Sequence, residues 1–96
     1  MNVGMLRVVL RIPESGSLKD KRQVVRSVSQ RLRNKFSVAV AEVDDQEAWQ
    51  IATLGVACVA NTTRHCDDVL SEVQAFIEQS RLDAEVLEVE RDVVPF

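Results

Sequence analysis

Residues 3–12, VGMLRVVLRI, alternate. Leu6, Val8, Leu10 and Ile12 fall on one side, and Val3, Met5, Arg7, Val9 and Arg11 on the other. A period of two predicts a strand with one fully buried face and one mixed face. Pro13 ends it, and the following ESG is a loop. From Ser17 the period changes. Leu18, Val24, Val25, Val28 and Leu32 recur at helical spacing, which predicts an amphipathic helix over 18–35. Ser17 is its N-cap, and Asp20, three residues on, makes a variant of the capping box.

Beyond the helix, SVAVAEV (37–43) is a strand of small and β-branched residues, DDQEAW (44–49) a polar turn, and QIATLGVACVA (50–60) a longer strand. That strand is apolar at nearly every position on both faces, as expected of a central strand covered on both sides. Asn61, Thr62 and Thr63 supply caps for a second helix over roughly 64–80. Its stripe is Val69, Leu70, Val73, Phe76 and Ile77, with Asp67 and Asp68 near the positive end of the helix dipole. In AEVLEVERDV (84–93), Leu87, Val89 and Val93 lie on one side and Glu88, Glu90 and Asp92 on the other, the pattern of an exposed edge strand.

The order β-α-β-β-α-β with right-handed crossovers gives an α+β, ferredoxin-like sandwich: a four-stranded antiparallel sheet with both helices on one face. The first and third strands, the most apolar, are expected at its centre. The 96 residues make one domain, residues 1–96. The longest apolar run, Ile51 to Ala60, is half the ~20 residues a membrane helix needs, and the N-terminus lacks the basic start and cleavage site of a signal peptide. Cys58 and Cys66 make no disulfide framework, so a cytoplasmic protein with reduced thiols is expected.

Charge changes the picture. The net charge is −3, yet residues 1–41 carry nine bases against two acids, a net +7, and residues 42–96 carry three bases against thirteen acids, a net −10. Seven of the bases lie within 17–35. On the predicted helix Lys19, Arg22, Arg26 and Arg33 share the face opposite the apolar stripe, with Gln30 and Ser29 beside them. Such a face can neutralise RNA phosphates, and the competing reading is a solvated surface balancing acids nearby.

The string SLKDKRQVVRSVSQRLRNKFSVAVAEVDDQEAWQIATLGVACVAN, followed by a helix ending VLSEVQAFIE, resembles the YlxP-like family of short bacterial proteins of unknown function. Its most specific pieces are SLKDKR (17–22), VAEVDDQEAWQ (40–50) and GVACVAN (55–61). The resemblance covers nearly the whole chain. It implies a ferredoxin-like fold and a gene neighbourhood of translation initiation and ribosome-maturation factors, hence work near ribosomal RNA or ribosomal particles. It carries no activity and no catalytic residues.

Other candidate sites follow from the residues. Ser15, Gly16, Ser17 and Lys21, at a helix N-terminus, could hold an anion. By helical spacing Lys21 points with Val24, Val28 and Leu32 toward the sheet, where it either pairs with an acid or faces that anion. The alternative reading is a small-molecule or anion-binding regulatory module, with its ligand at this loop or at a dimer interface. Two helices cover only one sheet face, so a homodimer is expected, through the open face (Met5, Arg7, Val9, Ile51, Thr53, Ala57) or through edge strands. Arg7 and Arg11 would then need acids from the partner, Glu88 and Glu90 being nearest by pattern. Base stacking on the sheet needs aromatics on the central strands, and 3–12 and 50–60 have none. Phe36, Trp49 and Phe76 read as core or turn packing, with Trp49 either anchoring the hairpin or sitting at an interface. Glu42, Asp44, Asp45 and Glu47 match no calcium loop, and Cys58, His65 and Cys66 lack a fourth zinc ligand. Arg11 and Asn61 could be forced into acylphosphatase roles, but that family's glycine-rich phosphate loop is missing. No metal, cofactor or enzymatic activity is expected.

Overall fold

The computed structural model describes residues 1–80 and 84–96. The elements run β1 (Asn2–Arg11), α1 (Leu18–Lys35), β2 (Ala39–Asp44), β3 (Ile51–Ala60), α2 (Thr63–Gln79) and β4 (Glu85–Pro95). The strand order is β2-β3-β1-β4, every neighbouring pair antiparallel. The first and third strands are central, as their apolarity predicts.

Both helices cover the face carrying the even positions of β1 and β3. There Leu6, Val8, Leu10, Ile12, Ala52, Leu54, Val56 and Cys58 meet Val28 and Leu32 of α1 and Cys66, Leu70, Val73 and Ile77 of α2, all buried. Phe36 and Phe76 close one end of the helix layer edge to face, with ring centroids 5.9 Å apart. Gly4 lies where α2 comes closest to the sheet. A Cβ there would stand 2.9 Å from the Cys58 sulfur and 3.1 Å from Leu70 Cδ1, so only glycine fits without displacement.

The caps form as the sequence predicts. Ser17 Oγ accepts from the Asp20 N–H, and Thr62 Oγ1 from the His65 N–H. Because α2 begins at Thr63, Asp67 and Asp68 stand beyond its first turn, and Asp67 is 3.5 Å from Arg91 on β4 instead.

Two irregularities shift side chains from the faces that strict alternation assigns. Between Val9/Leu10 of β1 the pairing jumps from Glu88 to Val86. Leu87 becomes the extra residue of a bulge and is 49% exposed, so it does not share a face with Val89 and Val93. Val86 takes the inner place, beside Val89 and Val93. Arg91, paired with Leu6 and by alternation on the side of Val89 and Val93, reaches α2, where its guanidinium donates to Ser71 Oγ and Gln74 Oε1. A second shift, between Glu42 and Asp44, sets Val43 over Gly55, whose missing Cβ leaves the room.

Candidate functional site

The basic face of α1 is exposed as its helical spacing predicts: Lys19, Arg22, Arg26 and Arg33 all stand in solvent, and Arg31 is exposed on another side of the helix. Arg33 is partly engaged, donating to the Val40 carbonyl of β2 at 2.6 Å. Ser29, one turn earlier on that flank, is only 4% exposed and so leaves the basic face for the side turned to β2. Lys35 lies 4.9 Å from the centroid of the Phe76 ring, a cation–π contact that ties it to the helix pair. Among the described residues, Lys19, Arg22, Arg26 and Arg31 make no side-chain hydrogen bond or ion pair. The first three form the free part of the stripe.

Lys21 has the opposite fate. It is fully buried, and its Nζ donates to the carbonyls of Asp45 (2.8 Å), Gln46 (3.1 Å) and Ile51 (3.3 Å). These use all three ammonium protons. Glu42 Oε2, 2.9 Å away, makes no directed hydrogen bond and balances the charge. Of the two roles open to Lys21 in the sequence, pairing with an acid is the one the geometry supports. The same lysine fastens the β2–β3 turn to the start of α1.

The β1–α1 loop is equally committed to internal bonds. Gly16 N–H donates to Asp20 Oδ2 (3.1 Å), Ser15 Oγ to the Ser17 carbonyl, and Ser15 itself is buried. The Asp20 carboxylate thus stands where an anion would sit. Gln50 Nε2 donates to the Pro13 and Ser15 carbonyls, and Ile12 N–H to the Gln50 carbonyl, so loop and turn form one end of the molecule. Asp45 adopts the left-handed region (φ 60°), and its carboxylate accepts from the Thr53 hydroxyl at 2.8 Å. Next along the turn, Trp49 is 56% exposed, so it is at most partly packed and is not a core residue.

The open sheet face is a broad depression of about 860 Å³ lined by residues including Met5, Ala39, Ala41, Gly55 and Ala57. Of the positions predicted for a dimer, Met5 and Arg7 are exposed and Val9, Ile51 and Ala57 half-buried. Thr53 is buried at 2% exposure, bonded to Asp45, and offers no contact surface. Arg7 meets Glu90 at 3.3 Å and Arg11 meets Glu85 at 3.7 Å, both across the β1–β4 ladder. The arginines therefore find acids in their own chain and need none from a partner.

Cys58 and Cys66 are free and buried. Burial, and then the neighbouring Cys66 thiol, push the Cys58 pKa above its ordinary 9.0. Among the described residues no three His, Cys, Asp or Glu side chains come together as metal ligands, and no helix is long and apolar enough to cross a membrane.

A β-α-β-β-α-β sheet with both helices on one face defines a ferredoxin-like α+β protein. It superposes on two solved de novo designs that share the fold alone. One, LFR1 1 with ferredoxin fold, matches at a TM-score of 0.56 and 12% identity over 100% of this chain and 87% of that one. The other, Foldit4, matches at 0.55 and 10% identity over 100% and 99%. The chain belongs to the family described as protein of unknown function DUF503, whose model matches residues 3–91. It is similar to the uncharacterized protein YlxP of Bacillus subtilis (strain 168), 37% identical over 67 residues, which cover 70% of this chain and 73% of that protein.

Proposed function

We propose that this protein is a non-enzymatic accessory factor that contacts structured RNA, ribosomal RNA foremost, through the outer face of α1. One observation carries the reading. Lys19, Arg22 and Arg26 project into solvent with no ion pair among the described residues, in a chain whose net charge is −3. An acidic protein that leaves a row of cations unbalanced presents a local attraction for phosphate, and each phosphate neutralised releases counterions. At 1.5 Å per residue, Lys19 to Arg33 extends roughly 21 Å along the helix, long enough to meet several phosphates.

The test is recovery of ribosomal particles on the immobilised protein at low and moderate salt, wild type against Arg22→Glu/Arg26→Glu. Arg33 stays untouched because it also holds β2. Loss of particles with the variant supports the reading, and equal recovery removes it. The alternative, a regulatory module for a small anion at the 13–17 loop, has less support, since Gly16 N–H and the Lys21 ammonium are taken internally.

We further infer that a second copy covers the open face of the sheet. The support is its small apolar floor, with Met5 and Val59 standing 41% and 65% exposed beside it.

A further inference from the structure

Trp49 is the chain's one tryptophan, and more than half of its surface stands open to solvent. An indole left 56% exposed on a loose loop would be unremarkable. This one sits on a turn pinned from several sides. Lys21 grips the Asp45 and Gln46 carbonyls, Thr53 donates to the Asp45 carboxylate, and the Gln50 side chain reaches the Pro13 and Ser15 carbonyls. The last two contacts place the turn against the loop from which α1 starts, beside the end that carries Lys19 and Arg22. An exposed aromatic surface is thus held at the end of the molecule from which α1, with its free cations, sets out.

Resting on the RNA reading of α1, we infer that Trp49 is a stacking platform for an unpaired nucleobase at the end of an RNA segment whose phosphates lie along α1. The charge of the turn selects base over phosphate. Asp44 and Glu47 are exposed on it and repel phosphate, but carboxylates accept hydrogen bonds from the amino and imino edges of bases. Phosphates stay with Lys19, Arg22 and Arg26, and a base turns out onto the indole. Stacking requires no sequence, because every base has a π-face. The rigid turn lowers the ordering cost of binding. This stacking lies outside the sheet, whose central strands have no aromatics.

The experiment compares a blunt RNA duplex with the same duplex carrying an unpaired tail, by anisotropy of labelled RNA and by emission of Trp49. Wild type should bind the tailed duplex more tightly by roughly 5- to 150-fold, the range for one stacked base, with quenching by the tailed RNA only. Trp49→Ala should lose that difference and keep the affinity for blunt duplex, and Trp49→Phe should keep part of it. Arg22→Glu/Arg26→Glu should weaken both RNAs. If Trp49→Ala matches wild type on both RNAs while wild type binds them, the inference falls, the α1 reading stands, and the indole serves a protein partner. If wild type binds neither RNA, the α1 reading fails and this inference fails with it.

Discussion

The Lys21 ammonium stands 2.9 Å from the Glu42 carboxylate, the two side chains 1% and 17% exposed, and it spends all three protons on carbonyls of the neighbouring turn. Removing one member of such a group leaves a buried charge and three carbonyls without partners. Lys21→Ala should destabilise the fold by about 3 kcal/mol or more, lowering Tm by upwards of ~10 °C for a domain of this size. Urea unfolding checks it, and a loss under ~1 kcal/mol would mean that water replaces the ammonium.

Salt should act steeply on the association of α1 with RNA. Each phosphate contact contributes close to one unit to the slope of log affinity against log salt. Arg22→Glu/Arg26→Glu should therefore flatten the slope by about two as well as lower affinity. A weakened variant with an unchanged slope would place these arginines away from phosphate.

Gly4→Ala puts a methyl group 2.9 Å from the Cys58 sulfur, with Cys66 Cβ and Leu70 Cδ1 at 3.1 Å. Overpacking of this kind costs roughly 1–3 kcal/mol. The double variant Gly4→Ala/Cys58→Ala frees the nearest contact and should recover part of the loss, read as the departure from additivity in a double-mutant cycle.

The raised Cys58 pKa makes a signed prediction. The folded protein keeps the Cys58 proton where the unfolded chain has released it, so the stability it contributes is full below the ordinary 9.0 and declines as pH rises from there through the folded value. Urea midpoints should fall between pH 8 and 10, and less steeply in Cys58→Ala. Parallel curves would assign the alkaline loss to other groups.

A second copy on the open face should double the mass seen by light scattering at micromolar concentration. Ala57→Glu, which sets a charge in the middle of the depression, should return the protein to monomer with its circular dichroism intact. A wild-type protein of single-chain mass leaves that face without a second copy.

The periodicity of the chain shows the order of elements, the central place of β1 and β3, the limits of α1 and the exposure of Lys19, Arg22 and Arg26. Each depends on whether a position faces the core, and hydrophobicity reports that directly. The bulges at Leu87 and Val43 are not visible there, because alternation carries no mark for an extra residue between two strands. Arg91 lies by alternation on the side of Val89 and Val93, but its reach to α2 is hidden in a strand whose acidic pattern suggests only an edge. Ser29 depends on how far α1 leans over β2, a tertiary matter. The direction of Lys21 is legible from spacing, but its partners are backbone carbonyls 24 to 30 residues away, which have no signature in side-chain identity. For Trp49 the sequence leaves hairpin anchor and interface both open, and the fold, with the ring 56% exposed, favours the second.

The arginines of β1 are balanced within their own sheet, by Glu90 and Glu85, while those on the outside of α1 are not. The two faces of the molecule therefore answer oppositely to the same solvent. Added electrolyte weakens whatever is held by the unbalanced helix, whereas an excluded salt such as sulfate favours burial of the apolar sheet floor. If both proposed partners bind, a rise in ionic strength alone strips RNA from the helix and leaves a second copy on the sheet, so one chromatography run over a salt gradient separates the two proposals.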